Sequence, residues 1–164
     1  MNIYDYIIGG GLILNYFIIK VMPCSEHFQK KRYPDFKLPD KRPFYSPKLV
    51  YRNYRNITAS GRNQMYIFYI FDLLYSFFLL LAMNQLVMRL SFFKTYSNYL
   101  IMLSAFRAFC AILEDTNLLI SLNLFPSRAY FTSILATLFT LLKWLLTIAC
   151  FVLAIYAAYA NLLT

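Results

Sequence analysis

Apolar residues gather in four runs along the chain, Ile3–Ile19, Tyr66–Met88, Tyr99–Leu122 and Ala129–Leu163, with polar stretches between them. About 20 residues at a rise of 1.5 Å cross a hydrocarbon core of about 30 Å, so the second and third runs have the length of a spanning helix. The first run is short and holds Gly9, Gly10 and Gly11, which weaken a helix but let a neighbouring backbone come close. It reads as a span, with a re-entrant or surface-lying segment as the other reading. The fourth is longer than a bilayer needs and predicts a helix that tilts or protrudes. Pro126-Ser127 ahead of it offers a helix stop and then an N-cap. The expected fold is all-α: an integral membrane four-helix bundle forming one domain over 1–164, with a long basic, proline-rich loop over 20–64 between helices 1 and 2.

The ionisable residues inside the runs are the informative ones: Asp72 in the second, Arg107, Glu114 and Asp115 in the third, and Lys143 in the fourth. A charge at the centre of a spanning helix costs roughly 2.5–3.5 kcal/mol, so these five are expected to face one another and not lipid. Helical spacing agrees. Ser104, Arg107, Ala111 and Glu114 form one stripe, Ser133, Thr137, Thr140, Lys143 and Thr147 a second, and Asp72 with Ser76 and Asn84 a third. Asp72 and Glu114 lie at a common depth of roughly 9–12 Å from the basic side, with Arg107 about 10 Å further across. Such a cluster has three readings. It is an internal salt-bridged layer that fixes helix register, a pair of proton- or cation-carrying carboxylates balanced by Arg107 and Lys143, or a polar pocket for a lipid or small ligand.

Composition agrees with a membrane setting. The chain is 60% hydrophobic and 14% charged, against about 45–50% and about 25% in ordinary soluble domains. It holds 15 Tyr and 16 Phe against 4 Gly, which suits helix ends at the headgroups, where tyrosine keeps its ring in lipid and its hydroxyl in water. The net charge of +9 is concentrated, since eleven of the 16 Lys and Arg lie between Lys20 and Arg62. Arg128 shares their side of a four-span chain, and Arg89 and Lys94 take the other. Basic loops stay on the cytoplasmic side. The loop 20–64 and the turn 123–128 are therefore expected on the cytoplasmic or matrix side, with both termini opposite.

Within that loop, Pro34, Pro39, Pro43 and Pro47 exclude regular helix. They predict an extended path along the membrane surface, followed by a short amphipathic helix around Lys48–Ile57 with Leu49, Val50, Tyr54 and Ile57 on one face. Lys30, Lys31, Arg32, Lys41, Arg42, Arg52, Arg55 and Arg62 are the expected contacts to anionic headgroups or to a partner subunit. Each basic residue near such a surface is worth roughly 1 kcal/mol. The same Lys, Arg, Tyr and Phe could serve phosphate contacts and base stacking, but membrane lipid is the simpler partner and no nucleic acid is expected.

Other chemistry is thinly signalled. Cys24, Cys110 and Cys150 lie far apart with no CxxC spacing, so neither a disulfide framework nor a metal site is indicated. Cys24, Glu26 and His27 lie together, but three such residues without a second cluster are more often solvated than metal-binding. Asn56-Ile57-Thr58 matches the glycosylation triplet on the side predicted to be cytoplasmic, so no glycan is expected. The first run lacks a basic n-region and a small-residue cleavage site and reads as a retained anchor. HExxH, GxSxG, P-loop and GxGxxG motifs are absent, and a single histidine leaves little scope for acid–base catalysis near neutral pH. Neither enzyme activity nor a cofactor is expected.

Gly61-Arg62 precedes the second run, Tyr66 opens it, Asp72-Leu73-Leu74-Tyr75 lies within it, Glu114 stands in the third, and Thr140 comes before Lys143-Trp144 in the fourth. In this order and spacing, from about Ser60 to Tyr156, the chain resembles an uncharacterised family of small polytopic membrane proteins, mainly bacterial. That family's third-span pattern resembles Asp-x-x-Glu-Asn, whereas here Ala111 stands three before Glu114 and Asp115 follows it, so an acid has moved or been lost. The resemblance implies the four spans and the polar positions, and no activity.

Two functions follow from these features. The leading expectation is a structural or accessory subunit that docks on a larger membrane complex through its aromatic helices and basic loop, because a long irregular loop without its own core usually lies on a partner. The aromatic-rich, glycine-poor composition suits a respiratory or ATP synthase complex of the mitochondrial inner membrane, and equally a bacterial plasma membrane. The alternative is a small transporter, or a proton- or cation-handling protein, that uses Asp72 and Glu114. A lipid-directed enzyme ranks last, since no nucleophile has a base at suitable spacing.

Overall fold

The computed structural model describes residues 3–22, 29, 38, 42–89, 95–127 and 129–162. The described residues form helices and no strand: α1 (Ile3–Val21), α2 (Pro47–Asn56), α3 (Ala59–Arg89), α4 (Ser97–Asn123) and α5 (Tyr130–Leu162). The four apolar runs reappear as α1, α3, α4 and α5. Helix α3 begins ahead of its apolar run because Thr58 caps it, its hydroxyl accepting the Gly61 N–H at 3.1 Å. Helix α5 begins at Tyr130, so Ser127 does not occupy its N-cap as expected. The Ala129 N–H donates instead to the Tyr51 hydroxyl, which comes in from α2.

Packing runs in sequence from α1 to α3, α4 and α5, and the cross-helix bonds fix the directions. Arg89, at the end of α3, pairs with Asp5, at the start of α1. The Tyr66 hydroxyl donates to Asn123 at 2.6 Å, and Ser104 donates to Asn84 at 3.1 Å, so α3 and α4 run antiparallel. Ser121 meets Thr132 at 2.7 Å and Arg107 donates to Thr147 at 3.0 Å, so α4 and α5 do the same. One end of this up-down-up-down bundle gathers Lys20, Lys48, Arg52, Arg55 and Arg62, and among the described residues the other end has Arg89.

Along α5, side chains sort by polarity in the reverse of a water-soluble core. On α5 the buried residues are small or polar, Ser133, Ala136, Thr137, Thr140, Cys150 and Ala157, while Phe131, Ile134, Leu138, Leu145, Ile148, Phe151 and Ile155 are exposed. Two stretches, Ala59–Arg89 and Tyr130–Ala160, are long and apolar enough to cross a membrane, and only 22% and 11% of their apolar windows is buried, unlike a soluble core helix. Helix α4 carries Arg107, Glu114 and Asp115 within its apolar run, and α1 carries Asp5 and Lys20 near its two ends with three glycines between them.

The largest apolar core lies at the basic end. Leu49, Val50, Tyr54 and Ile57 are buried there with Met65, Phe68 and Tyr69 of α3, Leu118 and Leu122 of α4 and Ala136 of α5. These are the four residues that periodicity assigns to the apolar face of α2. The expectation that this face lies on the membrane surface is corrected: it turns into the bundle, and the Tyr54 hydroxyl donates to the Leu118 carbonyl at 3.0 Å, an anchor that acyl chains do not offer. Pro47 occupies the first turn of α2, where a missing N–H costs nothing. Residues 42–46 are non-helical, as the proline spacing predicts, whereas Pro34 and Pro39 lie outside the described residues.

Candidate functional site

The three polar stripes meet at mid-bundle. Ser76, Ser104, Ser133, Thr137 and Thr140 are buried, and Glu114 is 0% exposed. Thr140 and Lys143 stand three residues apart on one face of α5, so both reach the same carboxylate. Lys143 Nζ pairs with Glu114 Oε2, and the Thr140 hydroxyl donates to Oε1 at 2.5 Å. The segment ahead of α2 closes this layer from the basic end. Tyr45 is buried, with its hydroxyl 3.2 Å from Thr140 Oγ1, and its carbonyl lies 2.9 Å from the Thr137 hydroxyl.

Beside the pair lies a cavity of about 200 Å³ lined by Asp72, Tyr75 and Ser76 of α3, Arg107 of α4, and Lys143, Trp144 and Thr147 of α5. Arg107 Nε donates to Thr147 Oγ1 at 3.0 Å, and the Thr147 hydroxyl donates to the Lys143 carbonyl at 2.7 Å. Asp72, Arg107 and Lys143 thus line one cavity, and Glu114 adjoins it through its pairing with Lys143. Asp115 does not line this cavity. One residue further on and about 100° around the helix, it is buried near enough to Tyr54 for its charge to act on that hydroxyl. Burial pushes the Tyr54 hydroxyl above the ordinary tyrosine range, and the Tyr51 and Asp115 charges act in the same direction.

No family model, curated protein or solved structure matches this chain.

Chemically, the layer holds an ion pair with fixed partners. A carboxylate gripped by an ammonium and a hydroxyl ties α4 to α5 in a single register, and removing one partner would leave the other buried and uncompensated. Cys110 and Cys150, on α4 and α5, are buried free thiols. Among the described residues no group of three His, Cys, Asp or Glu could hold a metal ion. Cys24, Glu26 and His27 lie outside the described residues.

At the basic end the expected contact residues divide. Arg62 turns inward: its Nη1 donates to the Tyr54 and Ile57 carbonyls at 3.1 and 2.9 Å, capping α2, and its guanidinium lies 5.0 Å from the Phe125 ring centroid. Arg52 and Arg55 are exposed and, with Lys48, Tyr51, Phe125, Pro126 and Tyr130, line a cavity of about 450 Å³. Arg42 lines a neighbouring cavity of about 310 Å³ with Phe44 and Tyr45. Lys30, Lys31, Arg32 and Lys41 lie outside the described residues. Sequence reasoning missed Tyr45, Tyr51 and Phe125. Tyr51 had a signal, since it stands three before Tyr54 and so shares its face; Tyr45 had none, being in a non-helical stretch.

Proposed function

We propose that this chain is a four-span integral membrane protein serving as a structural or accessory subunit of a larger membrane complex. Its basic end faces the cytoplasm or matrix and both termini lie opposite. Small and polar residues on the inner face of α5, with large apolar residues on its outer face, support a bundle surrounded by lipid or by other membrane helices. The charge imbalance between the two ends supports the orientation. The family resemblance over residues 60–156 accords with the four spans. The aromatic-rich composition suits the mitochondrial inner membrane, in a respiratory complex, as well as a bacterial plasma membrane.

The observation that carries the accessory reading is Glu114, sealed from solvent and held by Lys143 and Thr140. A carboxylate with two fixed partners serves helix register better than it serves carrying a proton or cation. The test is gentle detergent extraction of the tagged native protein, followed by a native gel and mass spectrometry. Co-migration with a large stoichiometric complex is expected. Migration alone or as a small homo-oligomer would overturn the reading in favour of a small transporter or proton- or cation-handling protein. That second reading is favoured by the cavity that Asp72, Arg107 and Lys143 share. It requires that Asp72→Asn and Glu114→Gln abolish flux in liposomes while the protein stays inserted and folded.

A further inference from the structure

We infer that the cavity between α2 and the α4–α5 turn is a binding site for the headgroup of an anionic phospholipid with two phosphates, of the diphosphatidylglycerol class. This rests on the membrane-spanning part of the reading above, which sets the basic end of the bundle at headgroup level. Lys48, Arg52 and Arg55 stand at i, i+4 and i+7 on α2, a stripe of three exposed cations about 10 Å long. None of Asp5, Asp72, Glu114 and Asp115, the carboxylates among the described residues, lines the cavity. A headgroup with one phosphodiester carries a single negative charge and would leave two of the three cations unmatched. Two phosphates joined through glycerol match the charge more closely and suit the length of the stripe. Arginine adds bidentate geometry toward phosphate oxygens.

The cavity lining is otherwise largely aromatic, and the aromatic residues are held in place. Tyr51 stacks on Phe125 with ring centroids 6.5 Å apart and meets Tyr130 edge-on at 6.2 Å. The Tyr51 hydroxyl is fixed by the Ala129 N–H, and Arg62 lies over Phe125. A cationic rim beside an aromatic floor at the membrane interface gives phosphate one surface and the glycerol and upper acyl chains another. Lys20, at the same end of the bundle, provides an internal control, because it lies outside the cavity and over the Tyr16 ring.

The test uses the full chain, purified in detergent and stripped of lipid, with bound lipid read by native mass spectrometry. Diphosphatidylglycerol is titrated against phosphatidylglycerol at equal total charge, and against inorganic phosphate. Preferential retention of diphosphatidylglycerol is expected. Arg52→Gln or Arg55→Gln should weaken it about fivefold, equivalent to roughly 1 kcal/mol per basic residue, while Lys20→Gln leaves it unchanged. All three side chains are exposed, so the variants keep the fold. Equal losses in all three variants, or equal retention of the two lipids, would overturn the site in favour of diffuse surface attraction. Displacement by inorganic phosphate at comparable concentration would overturn the lipid assignment in favour of a soluble phosphate ligand. Alkaline carbonate extraction of native membranes separates the two failures, since release of the protein refutes the membrane-spanning reading itself.

Discussion

Helices α4 and α1 both carry charged residues on otherwise apolar sequence, at different places and with different consequences. Helix α4 lies between α3 and α5 and buries Ser104, Glu114, Asp115, Asn117 and Ser121 along with small and apolar residues. Helix α1 packs chiefly on α3 and buries Asn15 alone, whose amide donates to the Gly11 carbonyl at 2.8 Å within the same helix. On α4, Ser104, Glu114 and Ser121 find partners across helix interfaces while Asn117 bonds within its own helix, whereas the polar residues of α1 are satisfied locally or at its end. A central helix can hold charge because neighbours on both sides supply partners; an edge helix is held by close approach and by a contact at its rim.

The comparison would break first at Glu114. Glu114→Ala takes from the half-buried Lys143 the carboxylate it pairs with and should cost up to about 3–5 kcal/mol, read as the shift in denaturant titration of the full chain in detergent. Replacing both partners, as E114L with K143M, should recover most of that loss, since an apolar pair of similar volume is often neutral or better. A loss in Glu114→Ala smaller than any substitution in α1 produces would refute the central role given to α4.

For α1 the largest expected effect is at Gly11. A Cβ there would fall 2.6 Å from the Phe78 ring, while Gly9 and Gly10 have nothing within 4 Å. Gly11→Leu should destabilise by about 1–3 kcal/mol through overpacking, and Gly9→Leu should cause none of that loss. The same denaturant titration checks both, and equal effects would show that the close approach at Gly11 does not hold α1 to α3.

Much of this contrast was legible in the sequence. The stripes on α3, α4 and α5 face inward because period-3.6 spacing and the cost of an unpaired intramembrane charge act on the same residues. The glycine triplet suggested that a neighbouring backbone comes close, whereas it is the Phe78 ring that meets Gly11, and Gly9 and Gly10 meet nothing within 4 Å. Asp115 lies about 100° around α4 from Glu114, a rotation that adjacency in sequence hides. The apolar face of α2 was identified but its destination was not, since a short amphipathic helix reads alike whether its face meets lipid or protein. Tyr45, in a non-helical stretch, has no periodic signal to reveal that it reaches the Glu114 layer.

Tyr54 sharpens the same point at the basic end, where α2 lies over α4. Tyr54→Phe removes the bond to the Leu118 carbonyl and should cost about 1 kcal/mol near neutral pH. Burial raises the folded-state pKa of this hydroxyl, so its contribution is whole below the unfolded pKa of about 10 and is lost as pH rises toward the folded value. Stability of the wild type should therefore fall more steeply above pH of about 10 than that of Tyr54→Phe. Parallel profiles would place the hydroxyl in contact with solvent.

The smallest effect is expected at the rim of α1. Arg89 holds Asp5 through contacts of 2.6 and 2.7 Å, a two-point geometry, yet the arginine side chain is 45% exposed. Solvent screens such a pair and ordering two side chains offsets part of the attraction, so Asp5→Ala should cost less than about 1 kcal/mol. Added salt should shrink even that difference, because exposed charges are screened within roughly 10 Å at 0.1 M ionic strength. The buried pair at Glu114 should be nearly insensitive to the same salt. Measuring both variants across a salt series therefore tests the contrast between the two helices directly: a salt-independent loss at Asp5 as large as that at Glu114 would mean that the edge helix is anchored electrostatically after all.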